Sequence, residues 1–470
     1  MGVGLSAAAA DDAAAADLNA WPLLPGERTW SAWQLTIALT TAGAATWCYI
    51  IGEYVGYYLD FKRAVAAFAA GSMFGILLTV LATVPTCGRF GIDSIACSKP
   101  QFGTRGWVIP ALLQLLSIFG WNCLLLIFFG KSAAQFLVAI HLVDPAQSAY
   151  FVPFATLAAC ALVFVFLLRG AGGVDRIAKI LVVHVLVGLW MVYLIVSHRW
   201  AELISVVPAR ASADPVWNFT TGFELGVSPA LSWWPYVGAM IRLAPSGRKA
   251  AVPSMIGLGG SVATLSIIGI AGVLVLKESD PAVWMRTVGG PWYAIIALLF
   301  VTAANLGTTV AGVYCSAIGL RHFSLFERTS WPALLGLTIA PIALVGVFAP
   351  DLFFANFGAF LAFIAITFAP ICGIQIIDYY VLRRGRISVR AIFDNGRAGA
   401  YYFYSGVNPA AIVGLAVGIA LYTYLLNPLS YVSRWPYRYV TASIPTALAA
   451  ALVYWMVTRM MVLRAGRGGY

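Results

Sequence analysis

Long apolar runs, cut at intervals by short polar segments, are the dominant pattern of this chain. A helix that crosses a bilayer takes about 20 mostly apolar residues. Twelve runs meet that length, at about 30–53, 64–84, 107–139, 151–168, 177–198, 221–243, 251–276, 291–320, 330–349, 352–376, 409–427 and 439–463. The pattern predicts an all-α polytopic membrane protein of about 12 spans. Residues 1–29 read as an N-terminal tail, Ala-rich with several Asp through Leu18, and 464–470 as a C-terminal tail. No hydrophilic stretch is long enough for a separate soluble domain.

Composition agrees with the pattern. Of 470 residues, 61% are hydrophobic and 10% charged, whereas a soluble domain carries about 25% charged residues. The mean hydropathy is +0.87. A net charge of +11 would suggest nucleic acid in a soluble protein, but here the basic residues lie mainly in the short loops. Placing the N-terminus in the cytoplasm puts twenty of the 29 Lys and Arg on the inner side and nine on the outer, which predicts both termini inside. The short loops suggest a plasma (inner) membrane of bacterial type. The seven Cys form no CxxC and no Cys/His cluster, so they read as small core residues.

Polar side chains within the runs are the next signal, because in hydrocarbon each needs a partner or a wet cavity. Run 1 carries Thr40-Thr41-Ala42-Gly43-Ala44-Ala45-Thr46-Trp47. Small residues and hydroxyls there allow an unwound segment whose carbonyls bind an ion or solute, with Gly43 and Thr40 as candidate cation ligands, or else close helix packing. Run 6 carries Ser228-Pro229-Ala230-Leu231-Ser232-Trp233-Trp234-Pro235. Two prolines in one span predict a broken helix. Breaks five spans apart point to an inverted-repeat transporter, with repeat one at about 30–198, repeat two at about 221–382, a core of 30–400, and helices 11 and 12 added over 401–463.

Run 3 holds Gln114, Gly120, Trp121 and Asn122. Run 8 holds Thr302, Asn305, Thr309, Gly312 and Ser316, whose spacings of 3, 4, 3 and 4 put them on one stripe. Such a stripe is either a solute-lined face or a packing seam. Indoles present flat apolar faces and amides present both donors and acceptors. Together they suit a planar ring with a polar edge, with Thr46, Trp47 and Thr302 as further candidate contacts. Glu53, Glu224 and Asp378 fall at or near span ends, so no fixed charge for a strongly ionic solute is placed in the core. His141, His184, His198 and His322 are scattered, and no role is assigned to them.

Several stretches, in order, resemble the nucleobase–cation symporter-1 family, the permeases for cytosine, purines, uracil, allantoin, thiamine and hydantoins. They are Pro25-Gly26-Glu27-Arg28-Thr29-Trp30; Phe102-Gly103-Thr104-Arg105-Gly106; Gly120-Trp121; Ser232-Trp233-Trp234-Pro235-Tyr236 with Arg242; and Ala303-Ala304-Asn305-Leu306. The most specific are Ala369-Pro370-Ile371-Cys372-Gly373, Asp378-Tyr379-Tyr380, Arg383-Arg384-Gly385 and Tyr404-Ser405-Gly406-Val407-Asn408. The resemblance covers about Trp21 to Pro428. It implies a leucine-transporter-type 5+5 inverted repeat plus two helices, working by alternating access. It also implies that Trp121 and one of Trp233 and Trp234 stack on the solute ring while Asn305 bonds its edge. Adjacent helical residues point about 100° apart, and Trp233 is favoured. Asp378 and the following arginines take a structural role in the resemblance.

The chain departs from the family pattern at three places. Leu125 stands where many members have Gln. Gly238 to Ile241 hold no Asp, which purine–cytosine permeases often have there. Leu299 and Phe300 stand where sodium-coupled members have hydroxyls. The expectation is therefore import of a nucleobase or related planar heterocycle with proton symport favoured over sodium, no cofactor, no nucleic-acid partner, and a monomer in the lipid bilayer. A same-fold carrier for an amino acid, vitamin or quaternary amine, or an uncoupled facilitator, stays open. No nucleophile–base pair or GxxxxGK[ST] loop supports an enzyme or an ATP-driven pump.

Overall fold

The structure, a computed structural model, describes residues 18–278, 285, 288–430 and 432–470. Tail residues 1–17 and Arg286 of the charge count lie outside the described residues. The described chain is helical, and its β-bridges are the isolated pairs Tyr404–Val407 and Leu426–Ser433.

Among the described residues, eight helices are long and apolar enough to cross a membrane: Phe61–Phe90, Val108–Ala139, Pro145–Leu167, Ala171–His198, Gly247–Leu276, Pro291–Leu320, Trp331–Phe348 and Ser443–Val462. A ninth is span 1, whose halves Ala32–Gly43 and Thr46–Gly56 meet at 55°. Span 6 is split into Pro215–Leu231 and Trp234–Ile241. Spans 10 and 11 contain the shorter apolar helices Ile366–Leu382 and Pro409–Leu425.

Local chemistry accounts for the two breaks. Span 1 starts with a capping box, in which the Ser31 hydroxyl accepts from the Gln34 amide and the Gln34 side chain accepts from the Ser31 amide. It ends at Gly43, after which Ala44 and Ala45 leave helical geometry and Thr46 restarts the helix. Small side chains here impose no packing that would hold the helix together. Span 6 tightens at Ser232 and Trp233, whose amides reach back three residues to Pro229 and Ala230. Pro235, which has no N–H, then sits in the first turn of the second half, where no donor is needed.

Burial separates centre from rim. Spans 3, 7 and 8 are 67%, 72% and 72% buried within the protein, whereas spans 4, 5 and 12 are 28% buried. The first group surrounds the broken spans and the second leaves most of its surface to lipid. Close backbone approach ties spans 1 and 7 together: a Cβ on Gly269 would stand 1.8 Å from the Tyr49 carbonyl, and one on Gly52 2.3 Å from the Ser266 carbonyl. Without a hydrophobic force between helices in lipid, such small-residue seams carry the packing.

Glu224 and Asp378, placed near span ends by sequence, are both fully buried. Glu224 accepts from the Ala442 and Ser443 amides, the Ser443 hydroxyl and the Tyr422 hydroxyl, fastening span 6 to spans 11 and 12. Asp378 accepts from Arg383 at 2.7 Å, Gln101 at 2.8 Å and Tyr454 at 2.9 Å. Arg383 also donates to the Pro100 and Gly468 carbonyls.

Removing one member of a buried ion pair strands the other, at a cost of about 3–5 kcal/mol. Arg383→Ala is therefore expected to lower the melting temperature of purified protein sharply, and the pair Arg383→Met with Asp378→Asn to recover part of the loss. If Arg383→Ala melts with the wild type, the pair does not hold this end of the bundle.

Candidate functional site

Side chains from the two breaks meet in an aromatic group that also includes Trp121 of span 3. Trp47 follows the span-1 break directly. Its ring centroid lies 5.9 Å from that of Trp121 on span 3 and 6.0 Å from that of Trp233 at the span-6 break. Trp233 lies 4.8 Å from Tyr236, one turn on. Phe360 of span 10 meets the edge of Trp121 at 5.6 Å and 78°. Gly120 makes that contact feasible, because a Cβ there would stand 2.2 Å from the Phe360 ring.

Trp47, Trp121, Leu125, Ser232, Trp233, Tyr236 and Thr308 line a cavity of only ≈ 10 Å³ for a water-sized probe, about the size of one water. Trp47 lies within ring contact of both indoles that were expected to sandwich a solute. A planar ring can enter between Trp121 and Trp233 only when these side chains part.

Asn305 links span 8 to the break in span 1. Its Oδ1 accepts from the Thr46 amide at 3.1 Å and from the Thr46 hydroxyl, which in turn accepts from Tyr49 at 2.9 Å. Its Nδ2 is buried with no protein partner, as are both side-chain polar atoms of Asn122 and the Tyr236 hydroxyl. Asn122 and Tyr236 converge on Gly312, where an added Cβ would stand 2.7 Å from Asn122 Oδ1 and 3.1 Å from the Tyr236 ring. Buried polar atoms without partners are costly and mark places where a ligand or water completes the bonding.

The structure thus brings Thr46, Trp47, Trp121, Trp233 and Asn305 into one group, with Asn122 beside it. It turns Trp234 away: the Trp234 indole donates to Gln375 at 2.6 Å and packs on Phe368. Thr302 is also outside the group, its hydroxyl spent on the Leu298 carbonyl of its own helix. The candidate cation ligands at the break already have protein partners. The Thr40 carbonyl accepts from the Ala44 amide, and the Gly43 carbonyl from the Ala45 amide and the Cys48 thiol. Thr308 donates to the Ala42 carbonyl.

Sequence reading missed Tyr236, Ser232 and Thr308, and it gave His184 no role. Tyr236 stood inside a quoted motif, and its signal was one helical turn of spacing from Trp233. Nothing local pointed to the contact of His184 with Ala44, 140 residues away.

A sequence model for permeases of cytosine/purines, uracil, thiamine and allantoin matches residues 22–462. The chain belongs to this permease family. It is 24% identical to the purine-uracil permease NCS1 of Arabidopsis thaliana over 93% of this chain and 76% of that protein. It is 25% identical to the hydantoin permease of Microbacterium maritypicum, over 79% of this chain and 76% of that protein. In structure it resembles Mhp1, a nucleobase-cation-symport-1 family transporter in a closed conformation with bromovinylhydantoin bound. The TM-score is 0.76 at 20% identity, covering 94% of this chain and 96% of that one. A Na⁺-coupled sialic acid symporter shares the fold at TM-score 0.60 and 11% identity, with 95% and 96% covered. This permease is an integral membrane transporter and not an enzyme.

Within the permease, Leu125 forms an apolar wall of the aromatic group and Phe300 is buried against His184, their ring centroids 5.9 Å apart. Neither position presents a hydroxyl or amide.

Tyr236→Phe removes a hydroxyl that has no protein partner, so the fold is expected to keep its stability. If that hydroxyl bonds the solute, affinity falls about five- to tenfold, the worth of one ordinary hydrogen bond. Isothermal titration on purified protein measures this, and unchanged affinity removes Tyr236 from the site.

Proposed function

We propose that this permease imports a nucleobase or related planar heterocycle by alternating access, with a proton as the coupling ion in preference to sodium. The observation that carries the reading is the aromatic group at the two helix breaks, with the unpartnered Nδ2 of Asn305 beside it. Indole faces favour a flat ring, and an amide donor reads one acceptor on its edge. No ionic side chain lines the cavity, which suits a neutral solute. The Arabidopsis and Microbacterium relatives, a purine-uracil and a hydantoin permease, support the same class of cargo.

In this reading the solute stacks between Trp121 and Trp233 after Trp47 moves aside, and bonds through Asn305 and the unwound backbone. Spans 1, 2, 6 and 7 form one moving bundle and spans 3, 4, 8 and 9 the other. The seam between spans 1 and 7 supports the first grouping. The membrane is the plasma (inner) membrane, with both termini cytoplasmic and the monomer as the working unit. The preference for protons rests on Leu299 and Phe300, whose side chains cannot ligate a hard cation.

The test is the thermal stability of purified protein against nucleobases, hydantoins, allantoin and thiamine, with sodium present and absent. A ligand that binds the folded state raises the melting temperature, by about 2.7 kcal/mol of stabilisation at a hundred times its Kd. A shift with one heterocycle that does not depend on sodium is expected. A shift seen only with sodium overturns proton coupling, and no shift with any heterocycle overturns the cargo class. Asn305→Ala and Trp121→Ala are each expected to weaken the shift, and wild-type binding by both would displace the site.

A further inference from the structure

The span-1 break frees backbone carbonyls inside the bundle, and each must find a donor. The Ala44 carbonyl would pair with the Cys48 amide in an unbroken helix, but that amide bonds Ala45 instead. Its donor is His184 of span 5, whose Nε2 lies 2.9 Å away. Span 5 is itself interrupted at Val182, between Ala171–Leu181 and Val183–His198. There the Val185 amide bonds the Val182 carbonyl and leaves the Leu181 carbonyl free. That freed carbonyl faces Nδ1 of the same imidazole. Both ring nitrogens of a buried histidine therefore face carbonyl oxygens, which only accept. A neutral imidazole carries one N–H, and only the imidazolium carries two.

We propose that His184 is this permease's proton-binding site, charged in the arrangement seen here, where it straps span 5 to the broken turn of span 1. The proposal rests on the transport reading above. The strap adjoins the candidate solute site. Asn305 holds Thr46 and Thr308 holds Ala42, while His184 holds Ala44 between them. Solute and proton would thus bear on a single unwound turn. A proton taken from the outer side charges the ring and closes the strap. Its loss to the inner side leaves a lone pair facing one of the two carbonyls, which frees the turn to move.

Most other ionisable groups on the elements packed against the ring are engaged elsewhere, and Tyr193 of the same helix is exposed. Helix Ala32–Gly43 and the Ser261–Ala271 stretch of span 7 carry none. On span 8, Tyr293 packs on Trp190, Tyr314 on Trp331, and Cys315 faces the Tyr236 carbonyl. On the second half of span 1, Cys48 donates to Gly43, Tyr49 to Thr46, Glu53 accepts from Tyr57, and Tyr54 packs on Tyr57. On span 5 and the short helix after it, Lys179 pairs with Asp175 at 2.6 Å and Arg199 with Glu202 at 2.7 Å. Arg176 lies two turns before the ring, and His198 at the far end of the span bonds Leu194. The ring's immediate aromatic neighbour is Phe300.

Two measurements test this. Nitrogen-15 NMR of histidine-labelled protein, with His184 assigned by its loss in His184→Gln, needs no solute. It is expected to show an imidazolium that becomes neutral somewhere between about pH 5 and about pH 9. A ring neutral over the whole range overturns the proposal. In proteoliposomes, His184→Gln keeps one N–H for Ala44 but cannot titrate. It should retain counterflow of the solute while losing proton-driven accumulation by roughly tenfold or more. Accumulation with proton co-entry at the wild-type level in that variant overturns the proposal. If no heterocycle binds the wild type, the cargo reading fails, and the NMR titration still decides the charge on His184.

Discussion

The constraint on which the rest of this permease depends is that a broken helix inside a membrane must replace its own lost hydrogen bonds. Water cannot do so in hydrocarbon. At the span-1 break the replacement comes from three directions: Asn305 and Thr308 of span 8, His184 of span 5, and the Cys48 thiol of the restarted helix. The partners are side chains on other spans, so the conformation of this one turn is coupled to the positions of those spans. A backbone held this way can be released by changing one partner, which an intact helix cannot.

The aromatic group follows from the same break. Trp47 projects between Trp121 and Trp233 because the helix restarts at Thr46, immediately before it. Trp47 in ring contact with both Trp121 and Trp233 buries apolar area without a charge, while Asn305, Asn122 and Tyr236 keep unpartnered polar atoms beside them. On the proposed reading, a flat solute with polar edges would replace ring-on-ring contact with ring-on-solute contact and satisfy those atoms. Little apolar burial would then be lost in the exchange, and the differential binding that shifts one conformation to another would come mainly from the edge bonds.

The buried charges do different work. Glu224 and the Asp378–Arg383 pair are saturated with donors and acceptors and lie toward spans 11 and 12 and the Gln101 region. They fasten the added helices to the core and lie apart from the aromatic group. Sequence position alone set Glu224 and Asp378 at span ends. Their burial depends on Ser443, Tyr422, Tyr454 and Gln101, residues brought up from distant parts of the chain.

The sequence by itself determined the membrane setting, the apolar spans and the two breaks, because hydropathy, proline and small-residue runs act over one or two helical turns. It also fixed Trp121 and Asn305 as candidate contacts, since a buried indole or amide in an apolar run is conspicuous wherever it lies. Only the tertiary structure decided that Trp233 and not Trp234 joins the aromatic group, because rotation of a broken helix depends on what packs around it, here Gln375 and Phe368. It also decided that Thr302 spends its hydroxyl on its own helix and that Tyr236 completes the group. His184 is the extreme case. Its chemistry arises from two carbonyls, one freed by a kink in its own span and one by a break 140 residues away, and no pattern along the chain records which oxygen a side chain will meet.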